Sequence, residues 1–120
     1  MGILCCVCSQ MWTPTYFNFQ PGGAQFNNKP MIMVDNNLGS PHEGTVYIGW
    51  DNATGGNGSL FSSNLILVSH STDQGVTLSA PVPASDTSSG PQGGIGAAPF
   101  VAPDGTVHVA WLDYRNGGIN

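Results

Sequence analysis

The stretch Gly44-Thr45-Val46-Tyr47-Ile48-Gly49-Trp50 recurs 61 positions later as Gly105-Thr106-Val107-His108-Val109-Ala110-Trp111, with an acid just beyond each tryptophan, Asp51 and Asp113. Each copy follows an apolar stretch opened by a proline, Pro30-Met31-Ile32-Met33-Val34-Asp35 in the first case and Pro99-Phe100-Val101-Ala102-Pro103-Asp104 in the second. Self-similarity at such a period marks a solenoid, a propeller or an array, built from units that each need a neighbour to cover an apolar face. Within the first copy Val46, Ile48 and Trp50 point one way and Tyr47 and Gly49 the other, because successive side chains of a strand alternate between faces. Neither face is strongly polar, so the pattern predicts a strand covered on both sides.

Composition agrees with an all-β chain of secreted type. Seventeen Gly and nine Pro in 120 residues, with 8% charged residues, leave little material for the polar faces of amphipathic helices. The net charge of -5 sets seven acids against Lys29 and Arg115 alone. With no basic patch to release counterions from a phosphate backbone, nucleic acid is excluded as a partner.

Cys5, Cys6 and Cys8 stand together near the amino end, with no later cysteine to pair across a core. Cys5-x-x-Cys8 has zinc-like spacing, but a structural zinc needs four ligands and no histidine lies nearby in sequence. No metal is assigned there. Residues 1–28 read as an unassigned leader: the apolar run Ile3 to Cys8 lacks a basic n-region and a small-residue cleavage pattern, and it is far shorter than the ~18 apolar residues that cross a bilayer. The segment Thr15 to Phe19 reads as a short strand.

From Pro30 onward the pattern predicts one four-stranded antiparallel unit. Met31 to Val34 is its first strand and Thr45 to Asp51 its second. The continuous apolar run Leu65-Ile66-Leu67-Val68 is its third, and Thr77 to Val82 its fourth, held to an edge by Pro81 and Pro83. The second copy then supplies two strands of another unit, and the chain stops at Gly117-Gly118-Ile119-Asn120, inside what reads as a loop. Sheets covered on both faces and stacked on like neighbours describe the blades of a β-propeller. The division expected is one blade over about 29–90 and half a blade over about 96–120, a fragment of a closed propeller. Small residues at matched points, Gly49 and Ala110, suit close packing between blades.

Between the third and fourth strands lies Ser71-Thr72-Asp73-Gln74-Gly75-Val76-Thr77. Here Asp73 can accept hydrogen bonds from its own turn, Gly75 can take a positive φ, and Ser71 and Thr77 can clasp the base of the hairpin. This segment resembles the Asp box, or BNR repeat, Ser/Thr-x-Asp-x-Gly-x-Thr followed by an aromatic residue, although here Leu78 takes the aromatic position. Together with the two tryptophan repeats it is similar to the six-bladed propellers of the sialidase superfamily, over roughly Asn28 to Asn120. Trp111-Leu112-Asp113-Tyr114-Arg115-Asn116 is similar to the Trp-x-Asp-x-Arg segment of bacterial BNR-repeat proteins.

The resemblance implies a secreted or cell-surface exo-α-sialidase, a glycoside hydrolase acting on a glycan or glycoconjugate, as the parent protein. A non-catalytic propeller that binds glycans or proteins at a cell surface is the competing expectation, since fold alone does not fix function. Active family members hold the substrate carboxylate with three arginines and use a Tyr assisted by a Glu as nucleophile, with an Asp as acid/base. This chain offers one arginine, Arg115, for substrate binding and Asp35 for the acid/base position, so the full set cannot be assembled from it and the chain alone is expected to be inactive. Asp73 belongs to the rim of a blade and is assigned a structural role, with Ser71, Gly75 and Thr77. Tyr114 has no Glu nearby in sequence to activate it. His42, Glu43, His70 and His108 are expected to be loop or strand residues rather than ligands. No cofactor is implied. The loop Asp51 to Ser59 clusters oxygen ligands that suit loosely bound calcium, but it lacks the twelve-residue EF-hand spacing. Asn52-Ala53-Thr54 and Asn57-Gly58-Ser59 are N-glycosylation sequons.

Overall fold

The computed structural model of this chain describes residues 25–55, 63–86 and 93–114. These residues are all-β, with no helix among them. The strands are β1 (Gln25–Val34), β2 (Val46–Thr54), β3 (Ser63–Ser71), β4 (Val82–Pro83), β5 (Gly94–Val101) and β6 (Val107–Asp113). The first four form one sheet in sequence order, and β5 and β6 form a second. Every pairing is antiparallel.

The expected pairing of the second and third strands is present: Ile48 lies opposite Ser69 and Asp51 opposite Ile66. Boundaries differ from expectation in all four strands: β2 runs on to Thr54 and β3 spans Ser63–Ser71, both past the apolar runs that announced them. β1 starts at Gln25, so the first sheet takes in residues that the sequence pattern leaves in the leader. The fourth strand is not Thr77 to Val82 but the pair Val82–Pro83 alone. Prolines at 81 and 83 cannot donate to a ladder, and serine side chains take over the edge of β3. Ser79 Oγ accepts from His70 N at 3.0 Å, Ser69 Oγ donates to the Ser79 carbonyl at 2.6 Å, and Ser85 Oγ accepts from Ile66 N at 3.0 Å.

The sequence repeat is also a repeat of register. Val34 opposite Val46 in the first hairpin corresponds to Val101 opposite Val107 in the second, and Met31 opposite Gly49 corresponds to Ala98 opposite Ala110. Both hairpins carry an irregularity at the same point, between Asn28 and Met31 and between Ile95 and Ala98. Lys29 and Gly96 occupy matching places in it, each with positive φ, 48° and 72°. Alignment of the prolines pairs Asp35 with Asp104, but the backbone pairs Asp35 with Ala102. Asp35 N donates to Thr45 O at 2.9 Å as Ala102 N donates to Thr106 O at 2.9 Å. Pro30 and Pro99 are not equivalent positions: in register Pro30 matches Ala97, and Pro99 matches Ile32.

The second sheet lies face to face on the first. A Cβ placed on Gly49 would stand 3.3 Å from the Ala97 Cβ and 3.3 Å from Pro99 Cδ, and one on Gly94 would stand 2.6 Å from Ile66 Cγ1. Only hydrogen fits at Gly94, and little more at Gly49. Across this seam Ile66, Ala97, Tyr47 and Ala53 are buried; Trp50, on the other face of β2, is buried as well. The expected role of Gly49 in close packing is thus met, whereas Ala110 remains exposed.

Ile66→Ala empties a fully buried site and should lower the unfolding free energy by about 2–5 kcal/mol, against less than about 0.5 kcal/mol for Val76→Ala on the surface. Gly94→Ala should cost about 1–3 kcal/mol through overpacking. Denaturant titrations of the three variants check the order.

Candidate functional site

Three polar clusters sit on this frame. The first is the turn after β3. Ser71 is buried, and its hydroxyl donates to Asp73 Oδ1 at 2.7 Å while accepting from Gly75 N at 2.8 Å and Asp73 N at 3.3 Å. Asp73 in turn accepts from Thr77 N at 2.8 Å through Oδ1 and from the Thr77 hydroxyl at 2.6 Å through Oδ2. The N–H groups satisfied by the carboxylate are therefore not those of Gln74 to Val76, as a simple self-capping turn predicts: Ser71 takes the Gly75 N–H and Asp73 reaches across to Thr77. Gln74 (φ 63°) and Gly75 (φ 89°) both lie in the left-handed region, and these cross-turn bonds hold them there. The Thr77 hydroxyl bond, the Thr77 N–H and the Ser71 hydroxyl bring the Asp73 pKa down to about 2.

The second cluster is centred on Asp35, which directly follows β1 and is fully buried. Its Oδ2 accepts from Ser40 Oγ at 2.5 Å, and its Oδ1 accepts from Asn37 N at 3.0 Å and Asn37 Nδ2 at 2.9 Å. The same amide donates to the Ala102 carbonyl of the second hairpin at 3.0 Å. The hydrogen bond from Ser40, followed by those from Asn37, outweighs burial and lowers the Asp35 pKa. A general acid near neutral pH needs a raised pKa and a free proton to give. Asp35 has the opposite environment and works as the anchor of its loop. Within that loop Gly39 N donates to Glu43 Oε2 at 3.0 Å and His42 N to Ser40 Oγ at 3.1 Å. Asp104 repeats the theme on a smaller scale: the Thr106 N–H, donating at 2.9 Å, lowers its pKa.

The third cluster lies at the seam and has no counterpart among the sequence-predicted site residues. Asp51 is buried in β2, accepts from Gly96 N at 3.2 Å, and has Asn64 Nδ2 at 3.5 Å. The Asn64 Oδ1 is buried without a hydrogen-bond partner. A cleft of about 160 Å³ opens beside them, walled by Phe26, Ile95 and Tyr114. The one sequence signal for this site is a carboxylate inside an otherwise apolar strand. Asp51 to Thr54 belong to β2, and of the loop that suits calcium by sequence, residues 56–59 lie outside the described residues. Calcium takes six to eight oxygens, and among the described residues no group of three or more His, Cys, Asp or Glu side chains is gathered for a metal.

Arg115 and the three cysteines also lie outside the described residues. Tyr47 and His70 stand together across β2 and β3 with ring centroids 6.3 Å apart, and His108 stacks on Phe100 at 4.9 Å, so both histidines are strand neighbours of aromatic rings. Among the described residues no helix is long and apolar enough to cross a membrane. Comparison with protein-family models, curated proteins and solved structures yields no match to this chain.

The folded pKa of Asp73, about 2, lies below its ordinary value of 3.8, so its carboxylate stabilises the fold fully above pH 3.8 and ceases to do so as pH falls through about 2. Asp73→Ala should therefore lower the melting temperature at neutral pH, and the gap to the unsubstituted protein should close on acidification through that window. A gap independent of pH would show that the carboxylate charge plays no part in the turn.

Proposed function

We propose that this chain is a segment of a sialidase-like β-propeller, one Asp-box blade followed by half of the next, belonging to a secreted glycan-directed exo-glycosidase. The observation that carries the reading is the repeated hairpin, with the same register and the same irregularity, stacked face to face on its first copy at a glycine. The clasped turn from Ser71 to Thr77, with Asp73 serving its own loop, supports it. Such a hydrolase cleaves with an acid/base and a nucleophile on either side of the scissile bond, and a carboxylate-bearing sugar is best held by bidentate arginines. The buried, hydrogen-bonded Asp35 is not suited to the acid role, so the chemistry falls to groups beyond residues 1–120, and this segment contributes scaffold.

Residues 1–120 expressed alone should release nothing above background from a fluorogenic sialoside, whereas the complete reading frame that encodes them should release the fluorophore. Within that complete protein Asp73→Ala should lower the melting temperature and leave turnover per folded molecule unchanged. Binding of sialoglycans by the complete protein without turnover would place it in the non-catalytic class, and neither binding nor turnover would overturn the glycan reading.

A further inference from the structure

The stacking of the two sheets leaves polar groups unspent at the seam. Asp51 and Asn64 are diagonal neighbours on one face of the first sheet, Asp51 standing opposite Ile66 and Asn64 opposite Ala53. Asp51 is 1% exposed, and of the roughly four lone-pair sites of a carboxylate one is taken by Gly96 N at 3.2 Å. Asn64 Nδ2 reaches Asp51 Oδ2 only at 3.5 Å, the limit of a hydrogen bond, and Asn64 Oδ1 is buried with no hydrogen-bond partner among the described residues. Buried polar atoms are satisfied almost without exception, so an unspent carbonyl beside an underused carboxylate marks a place where a ligand completes the set. The cleft they line holds about 160 Å³, where one water needs roughly 10–15 Å³ and a drug-sized ligand about 300–1,000 Å³. It is too large for a single bridging water and suits one small ring. Phe26 and Tyr114 wall it, and Tyr114 N, donating to the Gly93 carbonyl at 3.3 Å, ties one wall to the residue before β5.

We propose that this cleft is a subsite for one neutral pyranose ring of a glycan, a pair of ring hydroxyls bonding to Asp51 and Asn64 while Phe26 and Tyr114 cover the C–H faces of the ring. The inference rests on the glycan reading and names the sugar unit that this segment holds. The inventory of donors and acceptors decides the ligand. A carboxylate only accepts, whereas the Asn64 amide offers an acceptor and a nearly unspent donor. A hydroxyl both donates and accepts and so answers both groups; an ammonium or guanidinium has no lone pair to give the amide. The buried Asp51 carboxylate repels an anion where water screens little. It therefore turns away a carboxylate-bearing sugar and leaves the site to an uncharged neighbour in the same glycan, a choice made by repulsion as much as by attraction.

Titration calorimetry on the complete protein that carries residues 1–120 tests this, with methyl β-galactoside, methyl α-glucoside and methyl α-mannoside as probes. At least one should bind with a Kd on the order of 1 mM, the scale for a ligand of so few atoms. Asn64→Ala should weaken that binding by about tenfold or more, and it should leave the melting temperature unchanged or higher, because it removes a buried carbonyl that no described group satisfies. Asp51→Asn, which keeps an acceptor for Gly96, should weaken binding as well, and Val76→Ala on the exposed turn should not. Circular dichroism checks the strand signal of each variant, and Tyr114→Ala, which removes a wall, replaces Asp51→Asn if that variant unfolds. Hexoside binding that survives both Asn64→Ala and the second folded variant overturns the subsite, as does uptake of methylammonium in preference to every hexoside. Binding or cleavage of the fluorogenic sialoside with no hexoside bound overturns the subsite and leaves the glycan reading standing, whereas refusal of sialoside and hexosides alike removes both.

Discussion

The structure depends on the close approach of two β-sheets at Gly49 and Gly94. Stacked sheets ordinarily stand about 10 Å apart with side chains interleaved between them. Here the missing side chains let Ala97, Pro99 and Ile66 pack almost on backbone. That approach also brings the Gly96 N–H to the buried Asp51 carboxylate and the Asn37 amide to the Ala102 carbonyl. Burial and hydrogen bonding across the seam are thus one event: spreading the sheets would break the polar contacts along with the apolar ones.

A chain with so few charges uses them internally. Asp35, Asp73 and Asp104 each accept from donors of their own loop, and their pKa values are lowered by those bonds. Serine hydroxyls do similar work at the edge of β3, where Ser79 and Ser85 accept from the N–H groups of His70 and Ile66. An unsatisfied backbone group in a packed sheet is costly, and short polar side chains meet that demand without adding bulk. The functional consequence is direct. A carboxylate held ionised by its own turn is a poor proton donor, so Asp35, Asp73 and Asp104 serve the loops they sit in.

The period-two alternation in Thr45 to Asp51 was sufficient to predict β2 and its antiparallel pairing with β3, because strand patterning is local and both faces of these strands are apolar. Ser71 to Thr77 was legible as a turn for the same reason: its hydrogen bonds close within seven residues. The start of β1 at Gln25 was not legible, since Gln25, Asn27 and Asn28 are polar and the segment enters the sheet only through pairing with Asp51 to Thr54. Nor was the match of Asp35 with Ala102, because the prolines that align in the sequence do not occupy equivalent positions in the two hairpins.

Local chemistry in the sequence therefore determined the strand order, the repeat and the turn that resembles an Asp box. Tertiary structure alone decided that Gly49 meets Ala97 and Pro99, that Asp51 is a buried acceptor for Gly96, and that the Asn37 amide ties its loop to Ala102 of the second hairpin. The physical reason is separation along the chain: these contacts join residues more than forty positions apart, and their energies appear only when the sheets have stacked.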